Sequence, residues 1–162
     1  MKVTISTHDN FIAACIPLQS TLDDLNKWKQ FMREVFRFSV EGKKFYLFTL
    51  SPQKYSMGYE LKPFEELNTG NESVLVNYID IGTDELITQI VDSEEFERGL
   101  LKIVITDNQR SFENLSFVSG NYNNITDELI ACEDDGTSIY WHNPHVPVNQ
   151  IHEKLQQLLV TS

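Results

Sequence analysis

The stretch "ACEDDGTSIYWHNPHVP", residues 131–147, concentrates side chains able to do chemistry. Three carboxylates, Glu133, Asp134 and Asp135, run into Gly136. Tyr140 and Trp141 follow, and then His142 and His145 flank Asn143-Pro144. Two imidazoles with Asp134 or Asp135 across a hairpin are a workable divalent-metal set. Two histidines in a proline loop are also ordinary polar loop residues. Other carboxylate pairs include Glu65-Glu66, Asp84-Glu85 and Glu94-Glu95. General acid–base work needs one carboxylate raised in pKa by burial or a close neighbour. At loop and helix-start positions, water keeps such pairs ordinary.

Cys15 and Cys132 are the two cysteines, and they form no C-x-x-C pair. Each lies in an apolar run, which predicts two reduced, buried thiols. The sequence has no phosphate loop, no G-x-G-x-x-G, no G-x-S-x-G and no H-E-x-x-H. Its seven glycines sit singly, so a phosphate cradle has no material. No cofactor is implied.

Charge is more informative. The net charge is −11, unevenly spread. Residues 1–62 carry nine Lys/Arg against six Asp/Glu, and residues 63–162 carry four against eighteen. The acidic part would repel a phosphate backbone and an anionic membrane surface. It would attract a basic protein. A solubilising surface is the plain alternative. Adjacent strand residues face opposite ways, so one of Tyr140 and Trp141 is expected in the core and the other outward, with core packing of both rings as the more common alternative. An outward aromatic ringed by carboxylates would suit a binding hot spot. The residues expected to meet a partner are therefore Glu133, Asp134, Asp135, Tyr140, Trp141, Glu94 and Glu95.

Elements must position these residues. The 162 residues suit one domain, 1–162, with one sizeable core. The pattern predicts a strand over 2–7, and a strand or buried connector over 11–17. A helix opens at Ser20, with an apolar stripe of Leu22, Leu25, Trp28, Met32, Val35 and Phe36. A hairpin is expected over 37–51, with Phe38 and Val40 alternating before Glu41-Gly42. A strand follows over 55–63, a polar loop over 64–72 and a central strand over 73–81. Thr83 caps a helix ending at Gly99. Strands are expected over 100–107 and 113–120, with a turn between them and a loop over 121–128. A hairpin spans 129–141, and a last amphipathic helix follows Pro147 with Asn149 as its cap. The sum is α+β: a single, mostly antiparallel sheet of six or seven strands, with helices from the two ends of the chain packed on it.

The longest apolar run, "FIAACIPL", is eight residues, far below the roughly 20 that span a bilayer. No secretory signal is evident behind Lys2, so the cytoplasm is the expected compartment.

An acidic α+β domain without catalytic motifs, its charge gathered in stretches such as "VDSEEFE" and "ACEDDGTSIYW", resembles bacterial toxin–immunity proteins, including those of contact-dependent growth inhibition. The resemblance implies stoichiometric binding to a toxin domain, often a basic nuclease, whose active site is occluded. Acidic side chains would then stand in for phosphates. Two other classes fit the same residues: a structural or adaptor module such as a chaperone, and a metal-dependent enzyme using His142 and His145.

Overall fold

The structure is a computed structural model that describes residues 2–9, 11–17, 19–50, 65–68, 73–106, 115–122 and 126–161. It is α+β, as expected. The strands are β1 (Thr4–Thr7), β2 (Ile12–Cys15), β3 (Phe45–Leu50), β4 (Glu65–Asn68), β5 (Ser73–Ile79), β6 (Lys102–Ile105), β7 (Glu128–Glu133) and β8 (Ser138–His142). The helices are α1 (Leu22–Val40), α2 (Asp84–Val91), α3 (Glu94–Glu97) and α4 (Val148–Thr161). Eight strands make one sheet in the order β1-β2-β8-β7-β6-β3-β5-β4, one or two more strands than the pattern indicated. Every neighbouring pair is antiparallel.

The sheet is apolar on both faces, which explains the near-continuous apolar runs of its middle strands. One face carries Ile12, Ile139, Trp141, Ile130, Cys132, Ile103, Phe45 and Leu47, packed under Trp28, Phe31, Met32, Val35 and Phe36 of α1. Ile87 and Ile90 of α2, Phe96 of α3, and Ile151 and Leu155 of α4 close the same layer. The other face carries Tyr46, Phe48, Val76, Val104, Leu129 and Ala131. A 3-10 turn, Ser116–Ser119, covers it with Phe117 and Val118, joined by Tyr122.

Several boundaries depart from the sequence pattern. Helix α1 is capped by Thr21, not Ser20; the Thr21 hydroxyl accepts from the Asp24 N–H at 3.2 Å. The helix runs on to Val40, so the hairpin expected over 37–51 does not form. Phe38 and Val40 fit a period of two, but Phe36 and Val40 also fit i, i+4, and the buried face of α1 decides for the helix. Residues 65–68, expected as loop, form edge strand β4 against β5. Backbone pairing is indifferent to polar side chains at a sheet edge. Strand β5 therefore lies next to the edge, and the centre belongs to β7 and β6.

The helix expected over 83–99 is two helices. Ser93 breaks it by donating to the Ile90 carbonyl at 2.6 Å and accepting from the Phe96 N–H at 3.2 Å. Of the strand expected over 113–120, residues 113 and 114 lie outside the described residues, and Ser116–Ser119 forms the 3-10 turn instead. Asn149 falls inside the first turn of α4, because the Pro147 carbonyl accepts the first helical bonds, from Gln150 and Ile151. The strand expected over 55–63 and the turn after residue 107 lie outside the described residues.

Trp28 joins α1 to the far end of the sheet. Its ring is buried, and its Nε1–H donates to the Gly136 carbonyl at 2.7 Å across 108 residues of sequence. Trp28→Ala should cost about 3–5 kcal/mol. Trp28→Phe, which keeps most of the apolar area but orphans that carbonyl, should cost about 1–3 kcal/mol. Denaturant midpoints of the two variants check both values.

Candidate functional site

The β7–β8 hairpin places the residues of interest. Its turn, Asp134–Gly136, is tight and strained: Asp134 and Asp135 hold φ of 53° and 55°, and Gly136 holds 83°. Left-handed backbone is routine for glycine and costs a side-chain-bearing residue about 1–2 kcal/mol, less for aspartate. The surroundings impose it. A Cβ on Gly99 would come within 2.9 Å of the Asp135 nitrogen, so only glycine there lets the end of α3 meet the turn. The Trp28 indole holds Gly136 from the α1 side. The Thr137 hydroxyl donates to the Asp134 carbonyl at 2.6 Å, and Ser138 donates to its Oδ2 at 2.9 Å.

The expected contact residues then separate. Asp134 and Asp135 are exposed at the turn, and Glu94 is exposed on the neighbouring α3. Among the described residues these three carboxylates have no ion pair. Glu95 and Trp141 are only 1% and 3% exposed, which removes them from the acidic protein-contact surface expected of them; Trp141 instead lines a cleft at the far end of β8. Burial of Trp141 puts Tyr140 on the opposite face, as strand alternation requires. Tyr140 is half-buried, stacked on Tyr122 at 5.2 Å and tilted against Phe11 at 5.5 Å. Burial, then the nearby Asp134 and Glu133, push its hydroxyl pKa up.

Glu133 has an internal role. Lys102, with a side chain only 4% exposed, pairs with Glu133 Oε1 at 2.5 Å, and the Tyr122 hydroxyl donates to the same oxygen. Burial first, and that bond second, push the Tyr122 hydroxyl pKa far up. A lysine within the apolar run "LLKIVI" was a signal for a buried partner. The pair nonetheless needed the β6–β7 register to become visible.

The histidines do not join the carboxylates. His142 pairs with Leu129 at one end of the hairpin, while Asp134 and Asp135 sit at the other. At about 3.4 Å per residue, the length of β8 keeps them roughly 14 Å apart. Among the described residues, no group of three His, Cys, Asp or Glu is arranged to hold a metal. The geometry thus removes the proposed metal set. Both cysteines are free, but Cys15 is only half-buried, against expectation. Cys132 is buried, donates to the Phe96 carbonyl at 3.3 Å, and has its thiol pKa pushed up by burial.

Three clefts open along this hairpin. The first, about 290 Å³, lies between Tyr140, Tyr122, Glu133 and Phe11. The second, about 330 Å³, lies between Asp135-Gly136, Glu97 and the start of α1. Its apolar wall is Leu22 and Leu25, 75% and 38% exposed. The helical spacing assigned both leucines to the core stripe. Both instead line the cleft beside the acidic turn, in the first turn of α1 before the buried Trp28. The third, about 370 Å³, lies at the opposite end of β8, between Trp141, Phe38, Glu128 and α4. Burial raises the Glu128 pKa, against the opposing pull of Lys43 and His145.

The charge split of the sequence is partly consumed inside the fold. Lys29, Arg33 and Arg37, one turn apart on α1, reach Glu97 at 2.6 Å, Asp92 at 2.5 Å and Asp84 at 2.6 Å. Compared with family models, curated proteins and solved structures, the chain matches none.

Glu133→Gln should destabilise the fold by about 2–3 kcal/mol, because it strands the Lys102 charge in a nearly dry site. Asp135→Asn should change stability by less than about 0.5 kcal/mol. Chemical denaturation separates the two. Glu128 holds its proton to higher pH in the fold than the 4.5 of a free glutamate, so its stability penalty is absent below that value and grows as pH rises through the folded pKa. Glu128→Gln should therefore raise Tm at pH 7 and lose that advantage near pH 4. Thermal melts across that range test the sign.

Proposed function

We propose that this protein is an acidic inhibitor of the immunity type, which binds a basic toxin domain in the bacterial cytoplasm and occludes its active site. The observation that carries this is the turn Asp134–Gly136. Two exposed, ion-pair-free carboxylates are held in strained backbone by Trp28, Gly99 and Ser138. Sparsely populated backbone persists where its surroundings over-determine it, and it clusters at binding sites. A turn already rigid loses little entropy when it binds.

The neighbouring cleft supports the same reading. Leu22 and Leu25 offer apolar surface beside Asp135 and Glu97. An arginine of a nuclease fits that pairing: its aliphatic stem lies on leucine and its guanidinium meets carboxylate. The α1 cations pair Glu97, Asp92 and Asp84, whereas Asp134 and Asp135 keep their charge unpaired among the described residues. No helix among the described residues is long and apolar enough to cross a membrane. Two free cysteines suit a reducing compartment.

The test is affinity capture from the native cells at low salt, then titration of the captured protein. One basic protein should be retained, with affinity falling at least about tenfold in D134N/D135N and in Leu22→Ala, equivalent to ~1.4 kcal/mol. Association should slow as salt rises. Retention of no basic protein, or of one indifferent to both variants, would remove the proposal.

A further inference from the structure

We propose that the cleft between the C-terminal end of α1 and the start of α4 binds a small carboxylate with an apolar or aromatic body. It lies at the other end of β8 from the acidic turn and does not depend on the toxin-binding proposal.

Its volume, about 370 Å³, is in the range of small-molecule sites. The Trp141 indole and the Phe38 ring meet edge to face, with centroids 5.7 Å apart and planes at 77°. Phe38 is 49% exposed, so about half of this aromatic side chain at the end of α1 faces solvent. The Trp141 Nε1–H is buried and has no acceptor among the described residues. A buried donor without a partner is rare and unfavourable. An oxygen from a bound molecule would supply the acceptor.

The charges select the molecule. Lys43 and Lys154 line the cleft, with the Lys154 Nζ 4.4 Å above the Phe38 ring centre. A cationic ligand would have to displace that ammonium from the ring face. A neutral one would leave both lysines unused. An anion is repelled by most of a protein of net charge −11 and drawn to this lysine-bearing cleft. The one carboxylate in the lining, Glu128, accepts from the Asn143 amide at 3.4 Å and is half-buried. Gln150 and Asn143 add amide donors. Indole N–H, amide and ammonium donors over an aromatic floor suit a carboxylate attached to a flat or branched apolar group.

The test uses indole-3-acetate as probe and indole-3-acetamide as its uncharged counterpart. The readout is the pair of tryptophan indole N–H signals in a nitrogen–proton correlation spectrum. The protein has two tryptophans, and Trp28 is already bonded to Gly136, so it serves as the internal control. The Trp141 signal should shift downfield and saturate with the acid, while the Trp28 signal stays. Lys154→Gln and the amide should each bind at least about tenfold more weakly. Trp141→Phe assigns the signal; if that variant does not fold, Trp28→Phe assigns it by difference. Absence of a saturating shift by about 1 mM probe, equal movement of both signals, or equal binding of acid and amide would each overturn the proposal.

Discussion

One hydrogen bond ties the ends of this structure together: the Trp28 indole N–H donating to the Gly136 carbonyl, 108 residues away in sequence. Trp28 is buried in the layer between helix and sheet, where a polar N–H must find an acceptor. The β7–β8 turn offers one by presenting the Gly136 carbonyl to α1. That demand, with Gly99 admitting the turn against α3, accounts for the left-handed backbone at Asp134 and Asp135. The exposed carboxylates are therefore a consequence of a core constraint. Their strain is borne by a tryptophan, a glycine and two hydroxyls that never leave the interior or its margin.

The same economy governs charge. Cations at one-turn spacing on α1 meet acids from the α2–α3 segment, and Lys102 meets Glu133 across the central strands. Unlike the nearly buried Lys102–Glu133 pair, the exposed pairs on α1 contribute little stability individually. Their larger effect is electrostatic sorting. They offset acids of the α2–α3 segment, while Asp134 and Asp135 at the hairpin turn have no ion pair among the described residues.

Strand β8 then acts as a spacer between two unlike ends. At one end, acidic side chains sit beside exposed leucines. At the other, buried Trp141 and exposed Phe38 sit beside lysines. Alternation along the strand gives Trp141 to the helical layer and Tyr140 to the opposite layer, so a single five-residue strand serves both cores and lines two clefts.

The sequence by itself determined the α+β class, the apolar runs that become the central strands, the α4 stripe and the hairpin around Asp135-Gly136. These are local matters of periodicity and turn chemistry, and local preference is readable in one dimension. It also determined that one of Tyr140 and Trp141 must be buried, though not which. Tertiary structure decided the rest. The end of α1 passed from a strand-like alternation at Phe38 and Val40 to helix, because its buried face continued. The polar residues of β4 became a strand because β5 offered an open edge. Leu22 and Leu25 stayed out of the core and line the cleft beside the turn, and the buried stripe of α1 begins at Trp28. Glu133 turned inward because Lys102 lies on the neighbouring strand, and His142 parted from Asp134 and Asp135 because a strand separates them. Each of these depends on what lies opposite a residue in space, and that is fixed only when distant segments pack.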